Sequence, residues 1–168
     1  MNGGVRLAKV AVIMGSDSDL PVMRKAMEIL QEFGVGCEVS VASAHRTPDK
    51  VAELARGAAE RGISVIIAGA GMAAALPGAV AAHTQLPVIG VPLSGPALGG
   101  VDALYAIVQM PSGVPVATVG IDAAANAGLL AVQMLALSDA TLAQKLSAYR
   151  QGMAARVEEK SRNVQEGL

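Results

Sequence analysis

Short apolar runs alternate with amphipathic stretches along most of this 168-residue chain. Continuous apolar runs bounded by turn residues are typical of strands that are buried on both faces of a parallel sheet. One run alternates in part, through Cys37, Val39 and Val41, which suits a strand at a sheet edge. The predicted strands cover residues 8–14, 35–42, 64–68, 87–91 and 114–119.

Helical patterns separate and follow these runs, and capping residues mark their ends. Pro21 and Pro48 lie close to first helical positions, and Gly34 and Gly62 are expected to end their helices. The predicted N-caps are Asp19, Thr47, Asp102 and Asp139. The predicted helices cover residues 20–33, 48 to about 61, a short segment ending near 84, another ending near 110, 123–137, and 140 to about 163.

Five alternations of strand and helix predict a parallel sheet with right-handed crossovers and helices on both faces. The expected architecture is an α/β, flavodoxin-like three-layer sandwich with a five-stranded parallel sheet in the order 2-1-3-4-5 and a C-terminal helix. The length fits a single domain over residues 1–168, with a core at 8–137 and a helical extension at 139–163. Ligands of such sheets bind beside the carboxyl ends of the strands.

Composition and charge restrict the possible partners. The chain is 52% hydrophobic, and helix 123–137 is apolar on nearly all sides, so we expect a homo-oligomer, although Ala-rich helices alone also raise the apolar fraction. A net charge of −1 without a basic cluster argues against nucleic acid. The segment from Arg61 to Asp102 has no charge between its ends, but Pro and Gly interrupt it, so we expect buried strands and no membrane span. The lone cysteine, Cys37, fits a reducing cytoplasm, and the N-terminus lacks an apolar signal segment.

The first strand leads into Gly15-Ser-Asp-Ser-Asp19, at the predicted switch point of the sheet. Ser16 and Ser18 can donate hydrogen bonds to an anion at the following helix N-terminus, whereas ionised Asp17 and Asp19 can accept from ribose hydroxyls. Plain helix capping would use the same residue types. Binding of Mg²⁺ by the two carboxylates is less favoured, because no third carboxylate follows another strand.

The loop after the second strand carries the densest chemistry. Arg46 can bind a phosphate or a carboxylate bidentately, and His45 can transfer a proton near neutral pH. The neighbouring Ser43 and Ala44 complete this candidate wall. An exposed loop histidine and a surface ion pair are the structural alternatives. The other histidine, His83, lies in a helix-end pattern and is interpreted as structural.

A glycine-rich segment, residues 69–78, follows the third strand and has no charged side chain. Its backbone can approach a ligand closely, so it would cradle a ligand rather than react, unless it is only a tight turn in a crowded core. A receiver domain needs an Asp at the end of strand 3, which is absent. The candidate loops lack the aromatic residues that stack on a flavin, and the first turn lacks the G-x-G-x-x-G pattern of dinucleotide-binding folds.

Several motifs together resemble the class I N5-carboxyaminoimidazole ribonucleotide mutases of purine biosynthesis. The similarity extends over about residues 9–137, and the first two motifs at this spacing are highly specific. The motifs are Met-Gly-Ser-Asp-Ser-Asp (14–19), Ser-Ala-His-Arg-Thr-Pro-Asp (43–49), Ile-Ala-Gly-Ala-Gly (67–71), Leu-Pro-Gly (76–78), Leu-Pro-Val-Ile-Gly-Val-Pro (86–92), Ile-Val-Gln-Met-Pro (107–111) and Ala-Asn-Ala-Gly-Leu-Leu-Ala (125–131).

The resemblance implies that the chain converts N5-carboxyaminoimidazole ribonucleotide to its C4-carboxylated isomer, without a metal or another cofactor, as a homo-octamer with active sites at subunit contacts. It implies that CO₂ leaves N5 and is recaptured at C4, with His45 as the general acid/base. Ser18 and Ser43 would help to bind the phosphate, and Asp19 the ribose. The implied substrate-binding residues are Gly15, Ser16, Ser18, Asp19, Ser43, Ala44, Arg46, Gly71, Met72, Ala73 and Leu76, of which the last four line the base and CO₂ pocket.

The chain departs from the family pattern in the third loop. Met72 stands where the family usually has glycine, and Ala75 where it has histidine. The loop 93–98 also differs from the usual polar version. Class II carboxylases carry a different third loop, so class I is the closer match. A carboxylase or decarboxylase of a related ribonucleotide, a paralogue for another carboxylated nucleotide, and a nucleotide-binding sensor remain the alternatives.

Overall fold

The computed structural model describes residues 9–167 and has a five-stranded sheet at its centre. The strands are β1 (Val10–Met14), β2 (Cys37–Val41), β3 (Val65–Gly71), β4 (Val88–Leu93) and β5 (Ala117–Thr118). The helices are α1 (Leu20–Phe33), α2 (Pro48–Arg56), α3 (Leu76–Ala81), α4 (Val101–Val108), α5 (Ala124–Ala136) and α6 (Ala140–Glu166). A short 3₁₀ turn, Asp17–Asp19, precedes α1. The predicted first residue of the first strand, Ala8, lies outside the described residues.

The strand order is β2-β1-β3-β4-β5 and every pairing is parallel, which confirms the predicted topology. In the register, Met14 of β1 lies between Val41 of β2 and Gly69 of β3. The carboxyl ends of these three neighbouring strands therefore meet at one edge. The loops that follow them are brought together there, as expected for an open α/β sheet.

Apolar side chains cover both faces of the sheet, which gives the predicted three layers. One face packs against α1 and α5 through residues such as Met23, Leu30 and Val132. The other packs against α2, α3 and α4 through residues such as Val51 and Ile107. All residues of β1 are buried, as its continuous apolar pattern predicts.

Several predicted boundaries are wrong. α2 ends at Arg56 rather than near Arg61, because Gly57 is a poor helix former and the chain tightens into turns that end at Gly62, with a positive φ of 81°. β5 has two paired residues instead of the predicted 114–119, since Pro115 cannot donate to the ladder. β3 and β4 both continue farther than predicted, to Gly71 and Leu93.

Three predicted caps are corrected and one is confirmed. Asp19 stands at the N-cap position of α1 as predicted, but its carboxylate makes no bond to α1, because it accepts from the Ser16 N–H in the capping box of the preceding 3₁₀ turn. Thr47 precedes α2, but its hydroxyl bonds to Ser43 instead of the helix. Asp102 lies inside the first turn of α4, which begins after Gly100. Asp139 caps α6 as predicted, accepting from two backbone N–H groups of its first turn.

The last helix packs on the body of the protein only near its start. Leu142 is buried, and the Tyr149 ring packs at a tilt against Phe33 with ring centroids 5.4 Å apart. Most side chains beyond residue 150 are exposed. The helix runs to Glu166, slightly beyond the predicted end. Within residues 9–167, no helix is both long enough and apolar enough to cross a membrane.

Candidate active site

A cleft of about 520 Å³ opens at the carboxyl edge of the sheet, between four loops. The loops follow β1, β2, β3 and β4, the four adjacent strands of the sheet. All twelve predicted site residues line this cleft: Gly15, Ser16, Ser18, Asp19, Ser43, Ala44, His45, Arg46, Gly71, Met72, Ala73 and Leu76. The topology thus brings together residues that are up to about sixty positions apart in the sequence.

Hydroxyl groups of the first loop form a short chain of hydrogen bonds. Ser18 Oγ donates to Ser16 Oγ over 2.8 Å, and Ser16 Oγ donates to Asp17 Oδ1 over 3.1 Å. The Ser16 hydroxyl also accepts from the Ser18 N–H, which makes it the cap of the 3₁₀ turn. Hydroxyl protons can rotate, so the same two serines can donate to an anion when one binds.

Arg46 connects the two polar loops. Its Nη2 atom donates to the carbonyl oxygen of Gly15 over 3.2 Å, and its Nε atom donates to Ser43 Oγ over 3.4 Å. The Ser43 hydroxyl also accepts from the Arg46 N–H, so its own proton is available to a ligand. The cation is therefore held between the Ser43 hydroxyl and the Gly15 carbonyl oxygen, in the cleft that Ser16 and Ser18 also line.

The Asp19 carboxylate lines the same cleft and is partly buried. Burial is the largest influence on it and raises the pKa of Asp19 above its ordinary value of 3.8; the nearby Asp17 charge acts in the same direction. Hydrogen bonds from the N–H groups of Ser16 and Gly15 and the charge of Arg46 oppose this rise in pKa. Such a carboxylate is a suitable acceptor for ligand hydroxyls.

His45 lies next to Arg46 and is exposed at the cleft. In the part of the chain that the structure describes, no hydrogen bond holds its imidazole ring. Both ring nitrogens are therefore accessible to a ligand in the cleft. The other histidine, His83, lies after α3 and before β4, at the opposite edge of the sheet, with its Nδ1 atom 3.4 Å from Arg56 Nη2. Within one chain, His83 does not replace the histidine that is missing at Ala75.

The opposite side of the cleft is apolar. It consists of residues 70–76 together with Leu93, and we call it the apolar wall. Two of its residues adopt left-handed backbone conformations without being glycine, namely Met72 with φ 56° and Ala74 with φ 40°. Met72 is 67% exposed and lines the cleft, so its side chain is not part of the core.

From the sequence, the loop after β4 was noted only as a departure from the family pattern, and none of its residues was assigned to the site. Ser94, Gly95 and Pro96 line the cleft, and so do Ala70, Ala74, Ala75 and Leu93. The available signal was topological: β4 is the next strand after β3, and a Gly- and Pro-containing loop follows its carboxyl end. Residues 9–167 contain no cluster of three or more His, Cys, Asp or Glu side chains that could hold a metal ion.

The family model of AIR carboxylase matches residues 9–156, which is most of the chain. The chain belongs to the AIR carboxylase family. This membership confirms the family expected from the motifs at 14–19 and 43–49.

Relatives that resemble the chain include two mutases. The N5-carboxyaminoimidazole ribonucleotide mutase of Thermotoga maritima is 54% identical over 160 residues, covering 95% of this chain and 94% of the relative. The mutase of Pyrococcus horikoshii is 57% identical over 157 residues, covering 94% and 89%. A phosphoribosylaminoimidazole carboxylase of Saccharomyces cerevisiae is 57% identical over 140 residues, which is 83% of this chain but 24% of the yeast protein.

Solved structures of the AIR carboxylase family show the same fold. Treponema denticola PurE superposes with a TM-score of 0.82 at 30% identity, covering 90% of this chain and 95% of that one. A substituted variant of PurE2 from the same organism gives a TM-score of 0.83 at 28% identity, covering 91% and 95%. The flavodoxin-like architecture predicted from the alternation of strands and helices is therefore confirmed.

Proposed function

We propose that the protein is an isomerase that converts N5-carboxyaminoimidazole ribonucleotide to 4-carboxyaminoimidazole ribonucleotide in de novo purine biosynthesis. The observation that carries this proposal is the identity of 54–57% with mutases of that name over nearly the whole chain. The cleft adds support, because its polar and apolar sides match the two ends of a ribonucleotide.

The polar side binds the phosphate and the ribose. Arg46 supplies the positive charge, and the hydroxyls of Ser16, Ser18 and Ser43 supply donors within the same loops. Asp19 accepts hydrogen bonds from ribose hydroxyls, since an ionised carboxylate has no proton to donate to a phosphate. Gly15 and Ala44 offer backbone at the same place, without side chains that would fill the space.

His45 moves the proton of the reaction. When the bond between N5 and the carboxylate breaks, CO₂ leaves and N5 takes a proton from the imidazolium. C4 then attacks CO₂, and the proton that C4 carried passes to the neutral imidazole. The proton given to N5 equals the proton removed from C4, so the histidine returns to its starting state. An exposed imidazole without a fixed partner can reach both atoms from one position.

The apolar wall holds the base and the released CO₂. Gly71, Met72, Ala73 and Leu76 offer carbon atoms and backbone to a small neutral molecule that has no need of charged partners. Excluding water from this side favours recapture of CO₂ by C4 over its escape. Residues 70–76 contain no ionisable side chain, so the proton chemistry stays on the side of His45.

Ala75 favours a second candidate, a carboxylase or decarboxylase acting on a related ribonucleotide. The family pattern has a histidine where this chain has Ala75, which lines the cleft. Loss of this polar group would weaken binding of a carboxylated base and make release of CO₂ easier. The same replacement of histidine by Ala75 is also compatible with two further candidates, an enzyme for another carboxylated nucleotide and a nucleotide-binding sensor.

We also propose that the protein acts in the cytoplasm as a homo-oligomer, an octamer whose active sites lie at subunit contacts. Exposed apolar side chains support the assembly, because large apolar patches on a protein surface usually mark interfaces. They lie on and before α4 (Leu98, Val101, Tyr105 and Val108) and along the outer half of α6 (Met153, Val157 and Val164). Light scattering tests the assembly: a mass near eight subunits supports it, and a stable monomer contradicts it.

One assay separates the candidate functions. Purified protein is incubated with the N5-carboxylated ribonucleotide, and the C4-carboxylated product, CO₂ and bound nucleotide are measured. Formation of the C4 isomer supports the mutase. Release of CO₂ without a C4 product supports the decarboxylase, and binding without turnover supports the sensor; either result contradicts the main proposal.

A further inference from the structure

Asp122 adopts an unusual backbone conformation outside the cleft. It lies between β5 and α5 with φ 56°, in the left-handed region that residues with a side chain rarely adopt. Aspartate is among the few such residues that tolerate this region. A conformation of this kind persists only where surrounding contacts hold it, and here those contacts lead to the active-site cleft.

The backbone N–H and the carboxylate of Asp122 both form hydrogen bonds with the chain at the end of β4. The Asp122 N–H donates to the carbonyl oxygen of Pro92 over 2.9 Å, and its Oδ1 atom accepts from the Ser94 N–H over 2.9 Å. Ser94 is the first residue of the loop 94–100, which joins β4 to α4 and whose first three residues line the cleft. The carboxylate thus fixes the point at which this loop leaves the sheet.

The neighbouring residue contacts the other end of the same loop. A Cβ atom at Gly100 would lie 2.8 Å from Ile121 Cγ2, so Ile121 packs directly against the loop's last residue. Gly100 itself is buried, with φ 90°. Ile121 and Asp122 therefore hold both ends of loop 94–100, while its middle, including Pro96 and Leu98, is exposed.

We propose that Asp122 is a positioning residue, whose hydrogen bond to Ser94 fixes loop 94–100 against the cleft and so limits escape of CO₂ during the reaction. It touches neither the cleft nor the substrate, and acts through the backbone of Ser94. The inference rests on the proposed function, because escape of CO₂ matters only if CO₂ is released and recaptured. Gly95 lies at the contact between this loop and the apolar wall, since a Cβ atom there would lie 3.8 Å from Met72 Cγ.

Two variants distinguish the effect of the Asp122 carboxylate from the effect of its left-handed backbone conformation. Asp122→Gly allows the left-handed backbone but has no acceptor for the Ser94 N–H. Asp122→Asn keeps an acceptor oxygen and also tolerates this backbone. An N-carboxylated amine also loses CO₂ without enzyme, so the enzyme-free rate is measured and subtracted first. After that subtraction, a general loss of folding reduces the total turnover of Asp122→Gly without changing how the enzyme divides the consumed substrate between its two fates.

The first measurement is hydrogen exchange at the Ser94 amide, which needs no substrate. In Asp122→Gly we expect exchange about tenfold faster than in the unmutated protein, because the protecting bond is gone. In Asp122→Asn we expect a rate close to the unmutated one. Unchanged exchange in Asp122→Gly overturns the inference.

The second measurement is the partition of the N5-carboxylated ribonucleotide between C4-carboxylated product and released CO₂. We expect Asp122→Gly to release a larger fraction as CO₂, and Asp122→Asn to restore the unmutated fraction. An unchanged fraction in Asp122→Gly overturns the inference even where exchange is faster. If the unmutated protein forms no C4 isomer, the proposed function fails, and the proposed catalytic effect of Asp122 fails with it; the exchange measurement still decides whether Asp122 holds the loop.

Discussion

Arg46 Nη2 donates a hydrogen bond to the carbonyl oxygen of Gly15 over 3.2 Å, across 31 positions of the sequence. This contact ties the loop after β2 to the loop after β1. The guanidinium also donates to the Ser43 hydroxyl, and it lines the same cleft as Ser16 and Ser18. The phosphate-binding role that we propose for Arg46 therefore rests on this contact as well as on the motif.

Arg46→Ala should weaken substrate binding by about 10- to 100-fold, the range expected for losing charge-assisted hydrogen bonds. Arg46→Lys keeps the charge but loses the planar fork, so it should recover only part of the affinity. Titration calorimetry with the ribonucleotide measures both. Arg56→Ala, at the opposite edge of the sheet, is the control and should bind normally. Equal affinity in Arg46→Ala and the unmutated protein would remove Arg46 from the site.

Asp19→Asn should stabilise the fold while weakening substrate binding. Burial raises the pKa of Asp19, so its ionised form costs the folded state free energy above that pKa, and the cost disappears as the pH falls towards 3.8. The variant should therefore be the more stable protein at pH 7, with the difference shrinking on acidification. Urea unfolding at a series of pH values measures this. A difference that grows towards low pH would contradict the assignment.

Met72→Gly should leave the free energy of unfolding unchanged or raise it by up to about 1 kcal/mol, because glycine adopts the left-handed conformation without strain. The matched control is Ala73→Gly, at a neighbouring position without a positive φ. There, glycine should cost about 0.5–1 kcal/mol. Thermal and urea unfolding compare the two. If Met72→Gly is destabilised as much as Ala73→Gly, the strain at Met72 is absent.

Gly128→Ala should destabilise the protein by about 1–3 kcal/mol, because the added methyl group overfills the contact between α1 and α5. A Cβ atom at Gly128 would lie 2.8 Å from the backbone oxygen of Ala26, which cannot move aside cheaply. Gly152→Ala on α6 is the control, since the nearest atom to its Cβ would be Arg156 Nη1 at 3.6 Å. This second change should stabilise the helix by about 0.5–1 kcal/mol. Denaturant unfolding should give opposite signs.

The order of the sheet and the location of the cleft could be predicted because they depend on local patterns. A run such as 10–14 is apolar throughout only if both faces of the strand are covered, and five such runs with helices between them leave few topologies. The loops after Met14 and Val41 then meet, since parallel strands end at one edge. A later start of β5 could also have been predicted, because Pro115 has no N–H to donate to a strand pairing.

Features that depend on distant contacts could not be predicted. The bond from the Ser94 N–H to Asp122 joins positions 28 apart, and nothing in the local sequence of either residue indicates it. A different limit applies to Asp19 and Thr47, which have the residue types of helix caps. Their side chains bond to Ser16 and Ser43, three and four positions earlier, and residue type alone does not decide between these two local partners. The left-handed backbone at Met72 had a partial signal, namely the glycine that the resembling family carries there.

The central claim, proton transfer by His45, is tested most directly by the isomerisation rate of His45→Asn on N5-carboxyaminoimidazole ribonucleotide. Asparagine keeps a polar side chain of similar reach but cannot accept and return a proton near neutral pH. We predict that kcat falls by about 10²- to 10⁴-fold, the usual contribution of a general acid/base, while the nucleotide still binds and His83→Asn remains fully active. Isomerisation by His45→Asn at the unmutated rate would contradict the account.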